Sequence, residues 1–100
     1  MKIAMIVCWI GKIPEYFKIW EYSCSKNPDY DFFIFTDHPQ KSNFKNVIFI
    51  DFSLEDFNKI ASEKLEMDIE IKRPYKLCDF RPAYGLIFEE YLKNYDFWGH

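Results

Sequence analysis

Ile3-Ala4-Met5-Ile6-Val7-Cys8-Trp9-Ile10 is a continuous apolar run, rich in β-formers and free of charge. Such a run predicts a strand buried on both faces, as in a parallel sheet. Gly11 and Pro14 end it. Pro14 suits the first turn of a helix, where its missing N–H costs nothing. Ile13, Tyr16 or Phe17, Trp20 and Cys24 then recur at helical spacing. They predict a helix from about Pro14 to Ser25 with one face on the sheet, ended by Asn27-Pro28-Asp29.

Outward from there the pattern repeats. Tyr30–Asp37 reads as a second strand, stopped by the turn signal Asp37-His38-Pro39. Asn46–Phe52 reads as a third. Ser53 and Asp56 form a capping-box pattern, and Leu54, Phe57, Ala61 and Leu65 mark one face of a helix. Strand, helix, strand, strand, helix defines an α/β chain. Met67, Ile69 and Ile71 alternate with charged residues, which suggests an extended piece.

Pro74 opens a further helical stretch in which Lys76 and Asp79, three apart, share a face. Pro82 removes a hydrogen bond and pushes Arg81 from helical geometry, so the helix kinks there or a new one starts. Arg81 can then turn toward Lys76 and Asp79. Tyr84, Ile87 or Phe88, and Tyr91 continue an apolar stripe, with Glu89, Glu90 and Lys93 solvated. Gly85 costs a helix roughly 1 kcal/mol against Ala. A close backbone approach by the sheet or a ligand would explain it. Phe97 and Trp98 begin another strand.

One hundred residues make at most one domain. Hydrophobic content of 49% with 21% aromatic residues rules out a disordered chain. So many Phe, Tyr and Trp exceed what a core this small easily covers. The chain therefore reads as part of a larger domain, or as one whose apolar face meets a partner. A net charge of -3 is a poor match for nucleic acid, while a phosphate-bearing small molecule needs only a local cation. Cys8, Cys24 and Cys78 have no metal or redox spacing, and reduced cytosolic thiols are the default. No stretch is long enough to span a bilayer. No Walker loop, dinucleotide fingerprint or nucleophile elbow is present.

Ligands of open α/β sheets bind beyond the carboxyl ends of the strands. Those ends offer Trp9 with Gly11, and Thr36 with Asp37. Trp9 can stack on a base, Gly11 admits a close backbone, and Asp37 can accept from ribose hydroxyls. The plainer alternatives are a core Trp9, a turn at Gly11 and a capping Asp37. For Lys76 and Asp79 the alternative is an exposed ion pair worth a few tenths of a kcal/mol. For Arg81 it is a surface charge. His38 and His100 read as loop and end residues.

Cys8–Phe17, Ser23-Cys24, Asn27-Pro28, Phe32–Asp37, Pro74–Gly85 and Phe97-Trp98-Gly99-His100 together resemble the opening of a bacterial family of GT-A-type glycosyltransferase-like proteins. The resemblance covers nearly the whole chain, and its most specific parts are Tyr75–Gly85 and Phe97–His100. It implies a Rossmann-like, mostly parallel sheet with flanking helices, the amino-terminal half of a GT-A fold. It implies a nucleotide-sugar donor, UDP-linked by preference, and a carbohydrate or lipid-linked acceptor, as in surface polysaccharide synthesis. Trp9 and Gly11 would lie near the base, Thr36 and Asp37 after the second strand, and Lys76, Asp79 and Arg81 along the donor site. Arg81 follows Asp79 by two, where some relatives have a wider gap. An Asp-x-Asp motif binding Mn²⁺ or Mg²⁺ would follow the strand at Phe97, beyond residue 100, as would the acceptor-binding half. Residues 1–100 would then be the donor-binding part of a metal-dependent cytoplasmic enzyme, either free or peripheral at the inner membrane face, with no turnover expected alone. The rival reading is a non-catalytic α/β interaction module or a pseudoenzyme.

Overall fold

The amino-terminal apolar run becomes β1, Ile3–Trp9, an inner strand of a four-stranded sheet. A computed structural model describes residues 2–100. After β1 come α1 (Phe17–Ser25), β2 (Tyr30–Thr36), β3 (Val47–Asp51) and α2 (Leu54–Leu65). A 3₁₀ segment (Pro74–Ala83), two short helices, α3 (Tyr84–Ile87) and α4 (Glu89–Leu92), and β4 (Phe97–Gly99) complete the order. The strand order is β3-β2-β1-β4, and every pairing is parallel. The architecture is a Rossmann-like α/β sheet, wholly parallel where the sequence predicts mostly parallel.

Alternation along β1 decides which residue serves which face. Ile6, Cys8 and Ile10 join the core beneath α2, the 3₁₀ segment and α3. Val7 and Trp9 join the smaller core beneath α1. The larger core is aromatic at its centre: Phe35 and Phe88 stack at 4.2 Å, and Phe57 beside them is fully buried. This cluster absorbs much of the unusual aromatic content. Tyr16, Tyr22, Tyr75 and Phe97 remain exposed.

The two main helices begin differently. Residues 14–16 form a turn, in which the Phe17 N–H donates to the Pro14 carbonyl at 3.1 Å, so α1 starts three residues later than its apolar spacing suggests. In α2 the predicted capping box is present. The Asp56 N–H donates to Ser53 Oγ at 3.0 Å, and the Ser53 N–H donates to Asp56 Oδ2 at 2.9 Å. Glu66, left-handed at φ 53°, closes the other end.

The alternating stretch after α2 is not a strand. Its backbone pairs instead with side chains of α2. Asn58 bonds both the N–H and the carbonyl of Ile71, at 2.9 and 3.0 Å, and Ser62 does the same for Ile69, at 2.9 and 3.2 Å. Two polar side chains thus stand in for a neighbouring strand.

The segment Pro74–Ala83 is 3₁₀ along its length, where a kinked or restarted α-helix is the sequence expectation. Runs of this length are uncommon. With three residues per turn, positions three apart line up, and the segment sorts into columns. Leu77, Phe80 and Ala83 face the core, and Phe80 meets Phe57 edge-on at 5.8 Å. The other two columns, Tyr75-Cys78-Arg81 and Arg73-Lys76-Asp79, face outward on either side. At roughly 2 Å per residue the strip reaches about 20 Å across the sheet.

Gly85 follows the strip, and its reason is visible. A Cβ placed there would lie 2.6 Å from Cζ2 of Trp98 on β4. The close approach is by the sheet's edge strand.

Candidate functional site

From β1 the chain steps to β2 and β3 on one side, then returns to lay β4 on the other. The winding therefore reverses between β1 and β4. The crevice beyond the carboxyl ends at such a reversal is where open α/β sheets hold ligands. Here those ends are Trp9-Ile10 and Gly99-His100.

A hollow of about 390 Å³ lies at this place, bordered by Cys8, Ile10, Tyr75, Cys78, Arg81, Tyr84 and His100. The strip supplies one wall through its Tyr75-Cys78-Arg81 column, and β1 supplies the floor. Burial pushes the Cys8 thiol up to about 12. Burial likewise holds Tyr84 far above the ordinary range of a phenol, with Cys8 beside it adding to the effect. The Arg81 charge acts against both shifts, so it is felt at the floor. Neither floor group ionises near neutral pH. Arg81 is the one Lys or Arg in the lining, and no carboxylate borders it. An apolar, aromatic hollow with one fixed positive charge suits an organic anion.

The residues singled out in the sequence fall in three places. Arg81 is in this hollow. Trp9 borders it, but alternation turns its ring to the other face, where it meets Phe17 edge-on at 5.1 Å and donates Nε1–H to the Lys12 carbonyl at 3.1 Å. The ring is part of the α1 core and does not offer a stacking face to the hollow.

Gly11, Thr36 and Asp37 form a loop tie at the ends of β1 and β2. The Gly11 N–H donates to Asp37 Oδ1 at 2.8 Å, and His38 Nδ1 lies 2.7 Å from the same oxygen. The Gly11 bond first, then His38, holds the Asp37 carboxyl below its ordinary range. Gly11 sits at φ 116°, where L side chains are strained. Thr36 is fully buried, and its Oγ1 accepts from the His38 N–H at 3.1 Å. None of the three borders the hollow.

Lys76 and Asp79 lie elsewhere again. With Glu70, Lys72, Arg73, Tyr75 and Phe80 they border a second hollow of about 450 Å³. No ion pair joins Lys76 to Asp79 among the described residues, and Lys76 Nζ rests 5.3 Å from the Tyr75 ring centroid. The 3₁₀ period explains the separation from Arg81: positions 76 and 79 eclipse each other, whereas 81 belongs to the next column. The residues that sequence reading missed, Tyr75 and Cys78, stand at three-residue spacing before Arg81. That spacing was visible, but it carries meaning only once the segment is known to be 3₁₀.

Divalent magnesium and manganese prefer oxygen ligands. The first hollow has no carboxylate, and no group of three or more His, Cys, Asp or Glu converges among the described residues. These residues do not fit such an ion.

Fold and winding define the chain as a Rossmann-like α/β domain with a hollow at the switch point. Residues 5–100 match a family described as a family of unknown function, DUF6625, and the chain belongs to that family. No curated protein and no solved structure matches it.

Proposed function

We propose that this chain is the nucleotide-sugar-binding part of a glycosyltransferase. The observation that carries the reading is Arg81 on the wall of an otherwise apolar hollow at the β1/β4 reversal. Transfer of a sugar to a hydroxyl builds negative charge on a departing nucleoside diphosphate. A guanidinium can bind two of its oxygens at once and lower the cost of that charge. Residues 2–100 bind and orient the diphosphate of a UDP-type donor, and Tyr75 offers the exposed aromatic surface that Trp9 does not. The acceptor is carbohydrate or lipid-linked, and the metal ligands of such chemistry come from outside these residues. A cytoplasmic place, peripheral to the inner membrane face, goes with this reading; no helix among the described residues is long and apolar enough to cross a membrane.

The test uses the protein and UDP. Calorimetry is expected to show binding, with Arg81→Ala weakening it by roughly 1.5–3 kcal/mol. Cys78 is exposed on the hollow's border, while Cys8 is held near 12 and Cys24 near 11 by burial. Iodoacetamide should therefore label Cys78 first, and UDP should slow that labelling. Equal affinity in the Arg81→Ala protein, or unprotected Cys78, would overturn the assignment.

A second reading, an interaction module without catalysis, is favoured by one observation. Tyr16, Ile19 and Tyr22 lie exposed on one side of the first helical region, with Ile19 72% exposed. Unchanged partner binding after Ile19→Glu would remove its support.

A further inference from the structure

The second hollow has a composition that a surface patch of one sign does not have. Lys72, Arg73 and Lys76 border it together with Glu70 and Asp79. Elsewhere opposite charges pair readily: Lys64 bonds Glu89 and Glu90 at 2.5 and 2.8 Å, and Lys93 reaches Glu90 at 3.0 Å. Around this hollow no cation lies within ion-pair distance of a carboxylate among the described residues. Donors and acceptors are left free side by side. Beneath them lie the buried Ile71 and the half-buried Phe80, and Tyr75, 62% exposed, stands at the edge.

These features narrow the ligand by elimination. A densely charged polyanion such as nucleic acid, with few hydroxyls to offer, would meet repulsion from Glu70 and Asp79, and a basic peptide would meet it from the three cations. A purely apolar ligand would strip water from charges with nothing to replace it. A sugar bearing a carboxylate or phosphate answers every group present. Its anion takes the Lys72, Arg73 and Lys76 donors, its hydroxyls donate to Glu70 and Asp79, and the C–H face of its ring lies on aromatic surface.

We propose that the hollow formed by Glu70, Lys72, Arg73, Lys76 and Asp79 is a second subsite, for an acidic saccharide unit. It rests on the transferase reading only in its role: beside a donor hollow, and sharing Tyr75 with it, the subsite would hold the acidic acceptor chain. Its binding chemistry stands without that role.

The experiment follows amide and side-chain NMR signals of the whole chain with two probes added separately, trigalacturonate and UDP, and with neutral maltotriose as the control. Trigalacturonate is expected to move signals of residues 70–80 around Lys72, Arg73 and Phe80. Maltotriose should bind about tenfold more weakly or worse, and so should trigalacturonate to Arg73→Ala. Asp79→Asn should weaken trigalacturonate binding too, whereas a merely electrostatic attraction would be strengthened by losing that negative charge. Shifts at Cys78 and Arg81 with UDP but none at residues 70–80 with trigalacturonate would overturn the subsite and leave the donor hollow standing. Trigalacturonate shifts without UDP shifts would support the subsite and overturn the donor assignment. Tighter binding by Asp79→Asn, or equal binding of maltotriose, would reduce the hollow to an adventitious basic patch and sink the proposal.

Discussion

α2 and the 3₁₀ strip cover the same face of the sheet, are similar in length, and touch through Phe57 and Phe80. Their origins differ. α2 carries its instructions locally: a capping box, acidic residues in the first turn, Lys64 in the last and a left-handed closing residue. The strip has no side-chain cap and a proline inside it, and holds its shape because Leu77, Phe80 and Ala83 line up against the core. The lesson is that a locally specified helix builds the scaffold here, and a tertiary-imposed one carries the candidate chemistry. Its tighter period presents two differently charged columns to two different hollows.

The contrast can be broken most forcefully in the core. Phe57→Ala should cost about 3–5 kcal/mol in urea unfolding, because the ring is fully buried. Phe80→Ala should cost clearly less, its ring being only partly covered. Equal losses would mean that the strip is as much scaffold as α2.

Next comes the handover from strip to α3. Gly85→Ala should destabilise by about 1–3 kcal/mol, because its Cβ would fall 2.6 Å from Trp98. In a Trp98→Ala background the same change should turn neutral or favourable, since Ala is the better helix former. A penalty that survives in the double variant would show that Trp98 is not the obstacle.

The helix starts sharpen the comparison further. Ser53→Ala should cost about 1 kcal/mol by breaking the capping box. Arg73→Ala, at the uncapped start of the strip, should stay within about 0.5 kcal/mol. A large loss at Arg73 would give the strip a local anchor that its geometry lacks.

The smallest effect is electrostatic. Lys64, and then Lys93, lower the Glu90 carboxyl from 4.5 to about 2. A folded pKa below the unfolded one means that this link between α2 and α4 is complete above pH 4.5 and fades as pH falls toward 2. An NMR titration should place the Glu90 midpoint near 2. Lys64→Met should move it back toward the ordinary carboxylate value. An unmoved midpoint would leave Lys93 as its sole cause.

Much of the fold was readable because the strands are apolar runs and α2 is marked at its start. The strand order was not, since nothing in β3 or β4 alone says which side of β1 each will take. The Met67–Ile71 alternation suggested an extended piece; it forms no strand, and the hydrogen-bonding partners of Ile69 and Ile71 are side chains of Ser62 and Asn58. Within the candidate site, Arg81 was readable as a cation turned out of the helix by Pro82, but as a companion of Lys76 and Asp79. Its separation from Lys76 and Asp79 was not, because an α-helical and a 3₁₀ reading of the same residues sort them differently. The direction of the Trp9 ring follows from counting alternate residues against Cys8 once the floor of the hollow is known.

Tyr75 borders both hollows and belongs wholly to neither. A phenol ring in that position is a wall common to both, so a guest that swung it would reshape the two chambers together. If guests on the two sides favoured different positions of that ring, each would alter the affinity of the other by the same factor in both directions. Trimming the ring to alanine would remove the wall that such cross-talk would need.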